Sequence, residues 1–207
     1  MALTAAPYGL VPVKRADGMA YAGAVTQYLI DPAGEASNIF HGHVVHLGTD
    51  GYIAMSTGTG ADGTTNAFPV GTTLYGSIGV FMGCEYVNAQ GQLIHAQYYP
   101  TGYVAPTGTA IKAYVVDDPN VLFRAQLDGA AAQLDIGDNT FFSTAQTTAL
   151  GSTVNGNSTS ALDATTVTTT AAFRIVSSSS PIGDAFPDVL VKFNSGYHSF
   201  LNAVAAS

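Results

Sequence analysis

VLFRAQL, residues 121–127, carries apolar side chains at Val121, Phe123, Ala125 and Leu127, with Arg124 and Gln126 between them. A period of two is the signature of a strand with one face in a core and one in water. An amphipathic helix would repeat its apolar positions at three and four residues instead. Turn signals and apolar runs mark further strands. Ala20–Ile30 is a strand closed by the turn opener Asp31-Pro32, and residues 39–47 are a strand that turns at Thr49-Asp50-Gly51 into Tyr52–Met55. The apolar run Leu74–Val87, the turn Asn88–Gly91 and the strand Gln92–Tyr99 follow. Ala110–Val116, Phe173–Val176 and Val189–Phe193 complete the set. Ala130–Ile136 reads as one short helix stopped by Gly137.

Composition supports an all-β fold with at most short helices. Of 207 residues, 47% are apolar and 10% charged, with 23 glycines and no tryptophan. Little charge with much Gly, Thr, Val and Tyr suits short strands and tight turns. Pro7, Gly9, Pro12 and Gly18 mark residues 1–20 as an extended N-terminal arm. Pro100, Gly102, Pro106 and Gly108 mark a boundary, so two small β lobes are expected at 21–105 and 106–207. Residues 143–180 hold 18 Ser or Thr out of 38, too polar for continuous core, and read as a long loop with one Thr-rich edge strand.

The formal net charge of −8 opposes general nucleic-acid binding, which needs a basic stripe to displace counterions. Cys84 is the only cysteine, so no intrachain disulfide is expected. The opening MALTAAPYGLVPVKRADG lacks a charged segment followed by an apolar stretch, and is not read as a signal peptide. No run of about 18 apolar residues offers a membrane span.

Several motifs resemble chemistry. His41, His43 and His46 have ligand-like spacing, but in a strand His41 and His43 share a face while His46 points away, so no zinc site is expected. His95 and His198 could join only through the fold. GTGADG (58–63) has the letters of a dinucleotide fingerprint, yet TTNAFPVG after it contains a proline and cannot open a long helix. In YGSIG (75–79), Gly76 touches Ser77, so the spacing of a nucleophile elbow fails. Asp117-Asp118 before Pro119 reads as a solvated turn, and Asn157-Ser158-Thr159 as a chance sequon. Cys84, in an apolar run, reads as a buried thiol. No enzyme and no cofactor is expected.

Two stretches carry a family resemblance. APYGLVPVKRADG (6–18) resembles the opening of many small structural proteins encoded in tailed-bacteriophage head gene clusters. The block from GHVVHLGTDGYIAMS (42–56) to YGSIGVFMGCEYV (75–87) is similar to the core of phage head-decoration, or cement, proteins. The resemblance implies a β-tulip or barrel-like first lobe and a homotrimer on the outer capsid surface, assembled in the host cytoplasm. The major capsid protein would be its partner, with no direct nucleic-acid or membrane contact. KAYVVDDPNVLFRAQLDG (112–129), FRIV and VLVKFN look like the C-terminal half of larger cement proteins. Leu3, Pro7, Tyr8, Leu10, Pro12, Val13, Lys14 and Arg15 are then the expected capsid-binding arm, mobile until docked. The alternative for residues 7–13 is the first edge strand of lobe one. The rival function is a virion or tail adhesin binding carbohydrate, with Tyr98, Tyr99 and Tyr103 for stacking.

Overall fold

A computed structural model of the chain describes residues 4–61 and 76–201. It contains eleven strands: β1 Val11–Arg15, β2 Thr26–Ile30, β3 Val44–Leu47, β4 Ile53–Met55, β5 Ser77–Val87, β6 Leu93–Ala96, β7 Ile111–Val116, β8 Val121–Gln126, β9 Asn139–Thr140, β10 Phe173–Ser178 and β11 Asp188–Phe193. The only helical pieces among the described residues are 3-10 turns at Gln133–Asp135 and Ser199–Leu201. The chain is all-β, and both sheets are antiparallel. Among the described residues no helix is long and apolar enough to cross a membrane.

The five-stranded sheet has the order β1-β8-β11-β10-β9, and the six-stranded sheet runs β2-β7-β5-β3-β4 with β6 also on β5. β5 organises the second sheet. It pairs with β7 along Val80–Glu85, with β3 along Ser77–Val80 and with β6 along Cys84–Val87. Register shifts against β3 near Gly79 and against β7 near Met82 break strict alternation and let its side chains reach two cores. Val80 joins Val44 and Val116 in a core with Phe123, Phe173, Val191 and Phe193 of the five-stranded sheet. Ile78 and Phe81 join Ile30, Val45, Ile53, Tyr99 and Ile111 on the opposite side. β2 and β4, the ends of the strand path, approach each other, so this sheet curls around the second core.

This interleaving corrects the expected division into an arm and two consecutive lobes. β7 follows the predicted boundary at 105 yet lies inside the six-stranded sheet, and β1 belongs to the five-stranded sheet. The supposed arm is an edge strand, with Val11 opposite Arg124 and Arg15 opposite Val121. An edge position suits Pro12, because among the described residues β8 is the only strand paired with β1 and a missing amide costs the ladder nothing on the open side.

Three smaller expectations are also corrected. The strand at 39–47 is interrupted by Gly42, whose φ of +90° lies outside the strand region and leaves β3 to begin at Val44. The helix at 130–136 is a single 3-10 turn, closed by the Asp135 carboxylate accepting the Ala132 amide at 2.6 Å. No strand lies between Thr140 and Phe173, so the Thr-rich edge strand is absent there. Part of that polar stretch is instead deeply buried. Gln146 accepts the Val44 amide at 2.9 Å and donates to the Ser56 carbonyl at 2.9 Å, and Leu162 lies in the first core. A buried amide is tolerated when both its ends are satisfied, and here they are.

Candidate functional site

The residues expected to dock on a capsid can now be placed. Leu3 lies outside the described residues. Pro7 is half-buried. The Tyr8 hydroxyl donates to Asp188 at 2.9 Å, and Arg124 stands 5.5 Å from its ring centre. Leu10 is fully buried in the first core, and its amide donates to the Gly42 carbonyl at 3.1 Å. Gln126, expected on the solvent face, is covered by this segment: it accepts the Ala6 amide at 2.7 Å and donates to the Thr4 carbonyl at 3.3 Å. Pro12 lies opposite Phe123, and Val13 sits exposed at a bulge. Lys14 stands opposite Leu122, while Arg15 forms ion pairs with Asp17 and Asp118 at 3.2 and 2.8 Å. Most of these side chains therefore hold the fold together.

The histidines diverge. His43 is fully buried, with Nε2 2.9 Å from the Leu150 carbonyl, and the Phe40 amide donates to Nδ1 at 3.4 Å. A carbonyl can only accept, so Nε2 carries the proton and Nδ1 keeps its lone pair. Both nitrogens are satisfied in the neutral ring, and burial lowers the pKa to about 4. His46 turns to Ser56 at 3.4 Å, and His41 stands beside Asn157. His95 is exposed, 3.7 Å from Glu85. His198 is buried against Phe193, and desolvation lowers its pKa to about 4 as well. Among the described residues no three His, Cys, Asp or Glu side chains group as metal ligands.

Acid sensitivity follows from these two rings. The folded pKa values of His43 and His198 lie below the usual 6.5, so between about pH 6.5 and 4 the unfolded chain binds protons that the folded chain does not. Their contribution to stability is complete above that window and is lost as pH falls through it. Glu35, whose carboxyl burial raises, acts in the opposite sense. Thermal melts at stepped pH should show the midpoint dropping steadily from pH 6.5 to 4. The slope should flatten in His43→Gln. A parent slope that this substitution leaves unchanged would contradict the assignment.

The other motifs are structural as well. The carbonyls of Thr59 and Gly60 accept amides from Phe142 and Ala172 at 2.7 Å each, so the described part of GTGADG binds the rest of the chain; Asp62 and Gly63 lie outside the described residues. Tyr75 of YGSIG also lies outside them. Ser77 is fully buried and donates to the Tyr197 carbonyl at 2.6 Å. Asp117 accepts the Tyr28 hydroxyl at 2.8 Å, so the pair 117–118 is engaged by Tyr28 and Arg15 rather than merely solvated. Asn157 accepts from Gln97 at 2.6 Å. The Cys84 thiol is buried, which raises its pKa to about 12 and keeps it protonated. Tyr99 is fully buried and donates to the Tyr103 carbonyl at 2.8 Å; Tyr103 packs on Tyr86, and Tyr98 stacks on Phe40.

What faces water is more distinctive. From Ala16 to Leu29 only Tyr21 and Tyr28 are partly covered. Met19 is 66% exposed, and Val25 and Leu29 add to an apolar ledge along the edge strand β2. Beside it lies a cleft of about 300 Å³ lined by Arg15, Met19, Tyr21, Ala24 and Val121. Sequence reasoning missed this ledge because it took all of Ala20–Ile30 for one strand, whereas β2 begins only at Thr26. The alternating small residues Ala20, Ala22 and Ala24 were the available signal, since so little side chain cannot supply a core.

Comparisons of the chain with protein-family models, with curated proteins and with solved structures returned no match. The chain is classed by its fold, an all-β protein of two interleaved antiparallel sheets.

Proposed function

We propose that this is a structural virion protein: a decoration, or cement, protein of a tailed-phage head, of the β-tulip type. It binds the outer capsid surface and stabilises contacts between major capsid subunits. The observation that carries the reading is the ledge from Met19 to Leu29. Exposed apolar surface on an edge strand is a liability in an isolated protein and an asset where a neighbour covers it. In this reading the ledge makes the contacts of a homotrimer, which leaves other faces for the shell. The resemblances at 6–18, 42–56 and 75–87 point the same way, and the buried, satisfied state of His43, Ser77 and Cys84 fits a binding role better than a catalytic one.

The test is to add purified protein to undecorated, expanded heads of the phage that carries this gene. A cryo-electron map should show density in groups of three at three-fold positions, and Leu29→Asp should disperse the groups while leaving the circular dichroism of the chain unchanged. Bare heads, isolated monomers or dimers on two-fold axes would refute the proposal.

A further inference from the structure

The chain has six lysines and arginines. Register places four of them on one surface, the face of the five-stranded sheet turned away from the first core. Phe123, Val191, Phe173 and Ile175 point into that core, so their chain neighbours Arg124, Lys192 and Arg174 point out. Lys14 joins them, opposite Leu122, and Leu190 stands opposite Arg124. Both leucines lie outside the two cores and yet are almost fully buried. Long basic side chains whose stems shield leucines while their heads reach water account for this.

At one end of the β10–β11 ladder Arg174 and Lys192 are direct cross-strand partners. Like charges directly opposite repel, and neither has a carboxylate partner among the described residues. The two cations off this face, Arg15 and Lys112, are matched by Asp17, Asp118 and Glu85. Asn139 accepts from Arg174 Nε at 3.2 Å, which aims the guanidinium without neutralising it. Clefts flank the pair: one of about 280 Å³ lined by Asn120, Arg174, Lys192, Asn194 and Ser195, and one of about 130 Å³ lined by Asn139, Arg174 and Asn194. Asp188, four residues before Lys192 on β11, already accepts the Tyr8 hydroxyl at 2.9 Å.

We propose that this face is a docking surface for a protein partner bearing surface carboxylates, with Arg174 and Lys192 as its anchor. The fork of Arg174 suits a carboxylate bidentately, and the side-chain amide of the exposed Asn120 supplies a further donor. Val176, 40% exposed next to Arg174, favours a surface of mixed apolar and acidic character. A dense polyanion is opposed by the net charge of −8, whereas a local acidic patch feels mainly the local cations. The proposal deepens the decoration reading and rests on it for the identity of the partner, the capsid shell.

Two matched substitutions test it, because Lys192→Gln and Gln90→Glu each lower the net charge by one and Gln90 sits in an exposed turn away from this face. A labelled peptide with two glutamates set among apolar residues is titrated by fluorescence anisotropy with the full chain and both variants, and all three are added to undecorated heads. Lys192→Gln should bind the peptide about fivefold more weakly and occupy fewer head sites, while Gln90→Glu matches the parent. Its melting temperature should not fall, since a repulsion is relieved, so lost binding cannot be lost folding. Peptide binding that weakens with salt and with Lys192→Gln, on heads that stay bare, would uphold the face and sink the decoration reading. Heads decorated equally by the parent and Lys192→Gln would sink the face and leave that reading standing. Failure to bind the peptide, or preferential binding of heparin or single-stranded DNA, would overturn the proposal.

Discussion

Gly79→Ala is expected to lower the stability of the protein by about 3 kcal/mol or more, enough to cost roughly 10 °C in melting temperature. Gly79 lies in β5 opposite Val45, between Ile78 in one core and Val80 in the other. A methyl group there would overlap the Val116 carbonyl of β7 outright, and its next contact is the α-carbon of Asp117 at 3.0 Å. These are backbone atoms of a strand paired on both sides, so they cannot step aside as a side-chain tip could. Relief would require β7 to separate from β5, and that pairing bridges both cores. Gly91→Ala is the control. Gly91 has a φ of +79° in the Asn88–Gly91 turn and open space around its α-carbon, so it should lose only about 1–2 kcal/mol, the cost of a left-handed conformation. Comparable midpoints for the two variants in urea would show that the close approach of β5 and β7 is not as described.

Deletion of residues 2–15 is expected to unfold the chain. A mobile arm could be removed and leave the fold intact; an edge strand tied into a core cannot. The deletion removes β1 and exposes one side of β8. It also takes away Leu10, fully buried among Val44, Val121 and Leu162, whose truncation to alanine alone should cost about 2–5 kcal/mol. Gln126 would lose the Ala6 and Thr4 backbone partners that satisfy its buried amide. Summed, these losses approach the whole stability of about 5–15 kcal/mol typical of a folded domain. Leu10→Ala keeps β1 and should melt cooperatively at a lower temperature. A truncated chain with native circular dichroism and a parent-like melt would restore the arm.

Much of the fold was legible in the residues. The alternation in VLFRAQL placed Val121, Phe123, Ala125 and Leu127 on one face, and all four lie in the first core. The turn at Thr49–Gly51, the turn at Asn88–Gly91 and the strands around them were readable because turn chemistry and side-chain period act between neighbours in sequence. Cys84 as a buried thiol was readable from its apolar surroundings alone. The candidate surface was not. Lys14, Arg124, Arg174 and Lys192 look unrelated along the chain, and only register brings them onto one face.

What the residues determined by themselves was therefore local: strand or turn, inward or outward, all-β rather than helical. What only the tertiary structure decided was partnership. β1 carries the proline and apolar pattern of an edge strand, but nothing in those residues says that its neighbour is β8, more than a hundred positions later. Backbone amides and carbonyls are chemically the same at every position, so a ladder carries no address. Partner choice is set by which pairing buries Leu10 and the facing strands together, and by satisfying groups such as Gln126 and Gln146 inside. The same reason explains why a Ser/Thr-rich stretch that reads as surface loop could place Gln146 and Leu162 in the interior. Burial of polar chain depends on donors and acceptors from distant segments, and those meet only once the sheets have assembled.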